Sequence, residues 1–210
     1  MLIQRQQYLE QLIRKKNNGR VKIITGLRRS GKSFLLFELY ANYLRENGVG
    51  EDQIIGLALD ELPNAKYRNP MELDQAIRER IRDSKKQYYV MIDEIQFVSE
   101  IQNPYVDDPE AKLGFIDVVL GLVKIRNADI YVTGSNSRML SSDILTQFRD
   151  RGDEIRVNPL SFSEFYAAYN GDKRHAWREY CTYGGMPLVL TLDSHEEKSK
   201  YLRDLFMNQL

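Results

Sequence analysis

The chain has 210 residues, 42% of them hydrophobic, enough for one sizeable core or a core with a small appended lobe. Its 30 basic and 30 acidic side chains cancel, so bulk charge gives no support to a polyanionic partner, although local basic patches leave nucleic acid open. The single cysteine, Cys181, excludes an intrachain disulfide and fits a reducing, cytoplasmic location. The N-terminal MLIQRQQYLE has no secretory apolar region, runs such as Val118–Val123 are too short to span a bilayer, and two histidines with one cysteine make no zinc spacing.

Residues 2–16 predict an amphipathic helix with Leu2, Tyr8, Leu9, Leu12 and Ile13 on its apolar side, stopped by Asn17-Asn18-Gly19. Val21–Thr25 reads as a strand that Gly26 breaks. From Ser33 to about Glu46, Leu35, Leu36, Leu39, Tyr40, Tyr43 and Leu44 recur at helical spacing. Gln53–Leu59 predicts a second strand, and Leu73, Ile77 and Ile81 mark a helix. Tyr88–Ile92 is apolar throughout, as a strand buried on both faces should be. A polar loop from Asn103 to Pro109 precedes a helix over Leu113–Ile125. Asp129–Thr133 is a fourth strand and Glu154–Val157 a weaker fifth. Strands alternating with helices predict a doubly wound α/β sheet. The character changes after Pro159. Ser161-Phe162-Ser163-Glu164 has the form of a capping box, and the remainder is helical except at Gly184-Gly185-Met186-Pro187.

Gly26-Leu27-Arg28-Arg29-Ser30-Gly31-Lys32-Ser33 matches the phosphate-loop pattern G-x-x-x-x-G-K-[ST] without a departure, between a strand and a helix. A phosphate chain concentrates negative charge and needs many donors in a small space. The two glycines let backbone N–H groups turn inward, and the next helix adds its free N–H groups and positive dipole end. Lys32 brings a mobile cation to the β- and γ-phosphates, and the Ser33 hydroxyl is a hard ligand for Mg²⁺. Arg28 and Arg29 line the phosphate entrance or are simply solvated. The apolar strand ending in Asp93-Glu94 is the partner motif. Asp93 would hold the Mg²⁺, and Glu94, where the chain leaves the strand, would polarise an attacking water.

Two further segments have two readings each. Ser135 and Asn136, after the fourth strand, either face the γ-phosphate crevice or form a polar turn. Arg149 and Arg151 either reach a γ-phosphate, their own or a neighbour's, or pair on the surface with Asp150 or Asp153.

The succession T-G-L-R-R-S-G-K-S, M-I-D-E-I-Q, V-T-G-S-N-S, N-P-L-S-F-S-E-F and G-G-M-P resembles the prokaryotic AAA-type ATPases, and within them a group known as ATP-binding proteins with an AAA domain. The resemblance covers nearly the whole chain. The first two motifs are shared by many P-loop proteins, whereas P-L-S-F-x-E-F and G-G-x-P are much narrower. It implies a P-loop NTPase fold with a five-stranded parallel sheet of order 5-1-4-3-2 and a small C-terminal helical lid. It implies an ATPase core over 1–159, and a lid over 160–210 that starts a linker to a C-terminal domain beyond this chain. Gly26 to Ser33 would bind ATP, Ser33 and Asp93 the Mg²⁺, and Thr133 to Asn136 would form the sensor region. Arg151, with Arg149 second, would be the arginine finger, and a homo-oligomer is the arrangement in which it would act in trans. Pro187 would touch adenine, as in the related STAND signalling ATPases. The loop Gln102–Lys112 is longer than the pattern.

Three functions fit these residues: an ATP hydrolase driving conformational change in an attached or partner domain, a slow nucleotide switch, and a kinase for a small acceptor. Glu94 directly after Asp93 favours water as acceptor and counts against the kinase.

Overall fold

The structure is a computed structural model that describes residues 3–134, 148 and 151–207. Five strands form one parallel sheet: β1 (Val21–Gly26), β2 (Ile54–Ala58), β3 (Tyr88–Asp93), β4 (Ala128–Thr133) and β5 (Gly152–Val157). Their spatial order is 5-1-4-3-2, the order the resemblance implies. A detail it does not include is a separate antiparallel ladder, Ile101–Gln102 with Lys112–Leu113, which makes the long loop after β3 a hairpin.

Every residue of β1 and β3 is buried, because helices cover both faces of the sheet. The period-two alternation of a strand sorts their side chains. Tyr88, Val90 and Ile92 join Val21 and Ile23 in one core, under α3 (Pro70–Arg80) and α4 (Phe115–Leu122). Tyr89 and Met91 join Ile24 in the other, with Tyr8 and Leu12 of α1 (Gln6–Lys15) and Leu35, Leu36, Leu39 and Leu44 of α2. Helix α2 runs on through Lys32–Phe34, Leu35–Tyr40 and Ala41–Glu46, its middle segment π-helical.

Helices begin and end where local chemistry satisfies their free groups. Asn69 caps α3 through the backbone N–H groups of Met71 and Glu72, and Pro70 fills the first helical position. Helix α4 is shorter than the predicted Leu113–Ile125. Leu113 is drawn into the hairpin ladder, and Asp117 accepts from the N–H of Gly114 at the helix start.

Lys22 departs from the apolar reading of the first strand. It is fully buried and pairs with Asp129. Asp129 also accepts from the Tyr131 hydroxyl at 2.6 Å and the Asn17 N–H at 2.8 Å. Burial lowers the Lys22 pKa, and Asp129 opposes that shift. This network closes the end of the sheet where β1 and β4 begin, opposite the phosphate loop.

The C-terminal quarter adds α5 (Phe162–Ala167), α6 (Lys173–Tyr183) and α7 (His195–Met207). The capping box read at Ser161 and Glu164 is present. These helices carry their own core of Leu160, Phe165, Ala176, Met186, Val189, Tyr201 and Leu205, against which Ile3 packs. No described helix is long and apolar enough to cross a membrane.

Candidate nucleotide site

The phosphate loop sits between the end of β1 and the start of α2, at the edge where all five parallel strands end. Gly26 has φ 142°, and a Cβ there would lie 2.2 Å from the carbonyl oxygen of Val157 on β5. Gly31, at the turn into α2, has φ 93°. Both positions demand glycine, one for space and one for backbone conformation. Arg29 takes the left-handed conformation with a side chain attached, at φ 64°. Arg28 and Arg29 are exposed as expected. The Arg29 guanidinium lies over the ring of Tyr201 on α7, 5.6 Å from its centre.

The loop suits a phosphate chain. Lys32 is 4% exposed, and its ammonium donates to the carbonyls of Gly26 at 3.2 Å and Leu27 at 2.9 Å, inside the curl of the loop. Burial lowers its pKa, while the nearby charges of Glu94 and Asp93 raise it. The buried Ser30 hydroxyl has no hydrogen-bond partner among the described residues. A buried cation and an orphaned donor in one loop fit an anion brought to it.

Asp93 is 5% exposed at the end of β3. Burial raises its pKa, the nearby Ser33 hydroxyl and the Thr133 hydroxyl bonded to it lower it, and Glu94 and Asp60 raise it further. The Ser33 hydroxyl lies near enough to Asp93 to act on its charge, and two such oxygens are a hard pair that fits Mg²⁺. Among the described residues no group of three His, Cys, Asp or Glu side chains could hold a metal alone. A metal here would therefore draw its remaining ligands from phosphate and water, as Mg²⁺ commonly does.

Glu94 follows with φ 52°. Its backbone N–H donates to Thr133 Oγ1 at 3.1 Å, and its carboxylate accepts from Gln96 Nε2. The sequence placed Thr133 only at the edge of the sensor region. The alternation of β4 could have shown that the last side chain of that strand faces the end of β3.

Arg151 is exposed just before β5. Strand register pairs Gly152 with Val21 and Val157 with Gly26. Arg151 is therefore about six strand residues, roughly 20 Å, from its own phosphate loop, and the structure does not bring the two together. Pro187 is half-buried at the start of a short 3₁₀ turn, Pro187–Thr191. Beside it, Gly184 has φ 72°, and the Gly185 carbonyl accepts from the N–H of Leu160 at 2.7 Å. A Cβ on Gly185 would lie 2.0 Å from the Leu160 oxygen. The two narrow motifs, P-L-S-F and G-G-M-P, thus meet backbone to backbone. Ser135, Asn136 and Arg149 lie outside the described residues.

A five-stranded parallel sheet of this order, with a phosphate loop after its first strand and an acidic pair after its third, defines a P-loop nucleotide-binding protein of the ATPase kind. A family profile described as an AAA domain matches residues 18–166, and the chain belongs to that family. An uncharacterised protein of Haemophilus influenzae is 36% identical over 91% of this chain and 46% of its own length. An uncharacterised protein of Methanocaldococcus jannaschii is 25% identical over 89% of the chain and 40% of its own. The chain thus spans less than half the length of these curated relatives. Among solved structures, a Walker-type ATPase of Pyrococcus abyssi matches with TM-score 0.62 at 16% identity, covering 99% of this chain and 73% of that one. Caenorhabditis elegans PCH-2 matches with TM-score 0.50 at 17% identity, covering 94% and 55%. At those identities the two structures speak for the fold alone.

Proposed function

We propose that the chain binds ATP with Mg²⁺ and hydrolyses it, coupling turnover to movement of residues 160–210 and of an attached or partner domain. One observation carries the reading: the buried Lys32 ammonium sits inside the curl of 26–33, and the charges of Glu94 and Asp93 act on it, which supports a phosphate cradle beside a metal carboxylate and a candidate base. Backbone N–H groups of 26–33 and the Lys32 ammonium would bind the β- and γ-phosphates. Ser33 and Asp93 would hold Mg²⁺, which neutralises charge on the transferring group. Glu94 would accept the proton of the attacking water as the bond to the leaving ADP breaks. Arg151 would act on a neighbouring subunit's phosphate, since it is remote from its own. Pro187 would contact adenine, with 160–210 serving as a lid on a 1–159 core.

Titration of nucleotide and measurement of turnover test this directly. Lys32→Ala should weaken ATP binding and abolish turnover. Glu94→Gln should keep binding and slow hydrolysis by about 10²-fold or more, the scale of a lost general base. Unchanged affinity and rate in Lys32→Ala would remove the phosphate-loop assignment. Wild-type turnover in Glu94→Gln would leave a nucleotide-binding module with its base elsewhere.

A further inference from the structure

Glu94 leaves β3 in the left-handed conformation, and the next three residues, Ile95–Phe97, form a single 3₁₀ turn. The turn is closed by Phe97 N–H to the Glu94 carbonyl and Val98 N–H to the Ile95 carbonyl, both at 3.0 Å. It is anchored on each side of Gln96. The Ile95 side chain is fully buried in the core. The Phe97 ring lies beneath the Arg68 guanidinium, 5.0 Å from its centre, and Arg68 in turn donates to the Leu59 and Asp60 carbonyls beyond β2. Gln96 therefore projects from a fixed turn, and its side chain folds back so that Nε2 donates to Glu94 Oε2.

The residue type has a cost. Gln96 Oε1 is buried and has no hydrogen-bond partner among the described residues. A buried, unpaired amide oxygen is unfavourable, and a leucine or methionine would fill the space without it. What only the amide supplies is an N–H group aimed at a carboxylate. The orientation is also fixed by chemistry, because the reverse flip would face oxygen to oxygen.

We infer that Gln96 is a positioning residue for Glu94, fixing the carboxylate of the base for attack by water on the γ-phosphate. The inference rests on the reading of Glu94 as that base. Among the described residues Gln96 makes no hydrogen bond to the phosphate loop or to Asp93, so it acts on the rate of the chemical step and not on nucleotide affinity. Misplacing a catalytic group by a fraction of its reach slows reaction steeply even when binding is intact.

The test compares ATP turnover and ATP affinity for Gln96→Ala and Gln96→Glu, each made in the wild type and in Glu94→Gln. Gln96→Ala should lower kcat by about 10–100-fold with ATP affinity within about twofold. Gln96→Glu keeps the size of the side chain, removes the donor and sets a second carboxylate beside the first. It should slow turnover at neutral pH and move the acid limb of the kcat profile to higher pH, because two carboxylates sharing a site hold a proton longer. In Glu94→Gln, neither change at Gln96 should slow turnover further, since the group being positioned is already gone. Wild-type kcat in Gln96→Ala beside a slow Glu94→Gln would overturn the inference and leave the base in place. Equal fractional losses in both backgrounds would also overturn it, returning Gln96 to a structural role. Wild-type turnover in Glu94→Gln would overturn the base assignment itself, and the inference with it.

Discussion

Thr133, the last residue of β4, donates its hydroxyl hydrogen to Asp93, the last residue of β3. The same oxygen accepts the backbone N–H of Glu94. One side chain thus ties the ends of two neighbouring strands and secures the left-handed backbone that turns Glu94 out of the sheet.

Thr133→Val keeps the shape and removes the hydroxyl. It removes the threonine acceptor of the Glu94 N–H and takes one donor from Asp93. Loss of a buried partner costs about 1–3 kcal/mol, which thermal unfolding should register. Turnover should fall by more than ATP affinity does. A fully active, equally stable variant would show that the two strand ends hold their geometry without the threonine.

Burial raises the Asp93 pKa, which couples its protonation to folding. A carboxyl whose native pKa exceeds its unfolded value binds its proton more tightly when folded. The metal-free protein therefore loses stability as pH rises from the ordinary carboxylate range through the raised value. Mg²⁺ held at Asp93 would need the charged form, so proton and metal would compete. The thermal stabilisation given by Mg²⁺·ATP should grow with pH across that window. Asp93→Asn should remove the Asp93 share of this dependence and leave only that of the nucleotide phosphates. Parallel curves for the two proteins would exclude Asp93 from the metal site.

Gly185→Ala tests the junction between the two narrow motifs. The added Cβ meets the Leu160 oxygen at 2.0 Å, so backbone must move. Overpacking of this kind costs about 1–3 kcal/mol, and at this chain length each kcal/mol lowers the melting temperature by about 2–4 °C. Gly184→Ala should also destabilise, through its positive φ, although a Cβ there meets nothing within 4 Å.

Arg151 should matter only between subunits. Arg151→Ala should slow turnover by about 10²-fold or more with little change in ATP affinity, the behaviour of a finger acting on transition-state charge. Specific activity should rise with protein concentration. Mixing Arg151→Ala with Lys32→Ala should restore activity, because a mixed assembly can contain complete sites. Full activity of Arg151→Ala alone would make it a solvated surface charge.

The sheet was legible because its signals are local. Four apolar runs end at glycine or acids, and the phosphate loop lies between the first run and a helical repeat. What escaped depends on partners distant in sequence. Lys22 reads as a flaw in a strand until Asp129, 107 residues away, lies beside it. The Leu113 boundary failed because a two-residue ladder to Ile101 outcompeted helical periodicity. Gln96 looks like any polar residue after a strand; its role appears only once the turn folds it back. Glycines 184 and 185 read as a turn between helices, and the close approach of the Leu160 backbone has no sequence signal.

The contact between Arg29 and Tyr201 has one more consequence. Arg29 belongs to the phosphate loop and Tyr201 to α7, so the two regions share a side chain whose position both must accommodate. Thermodynamic linkage makes such sharing reciprocal. Any free energy by which bound phosphate shifts Arg29 away from, or toward, the tyrosine ring is returned in full when something else moves α7. A ligand or domain that pulls on α7 would then tune nucleotide affinity by the same factor with which nucleotide tunes its grip. Tyr201→Ala would cut that exchange in both directions at once.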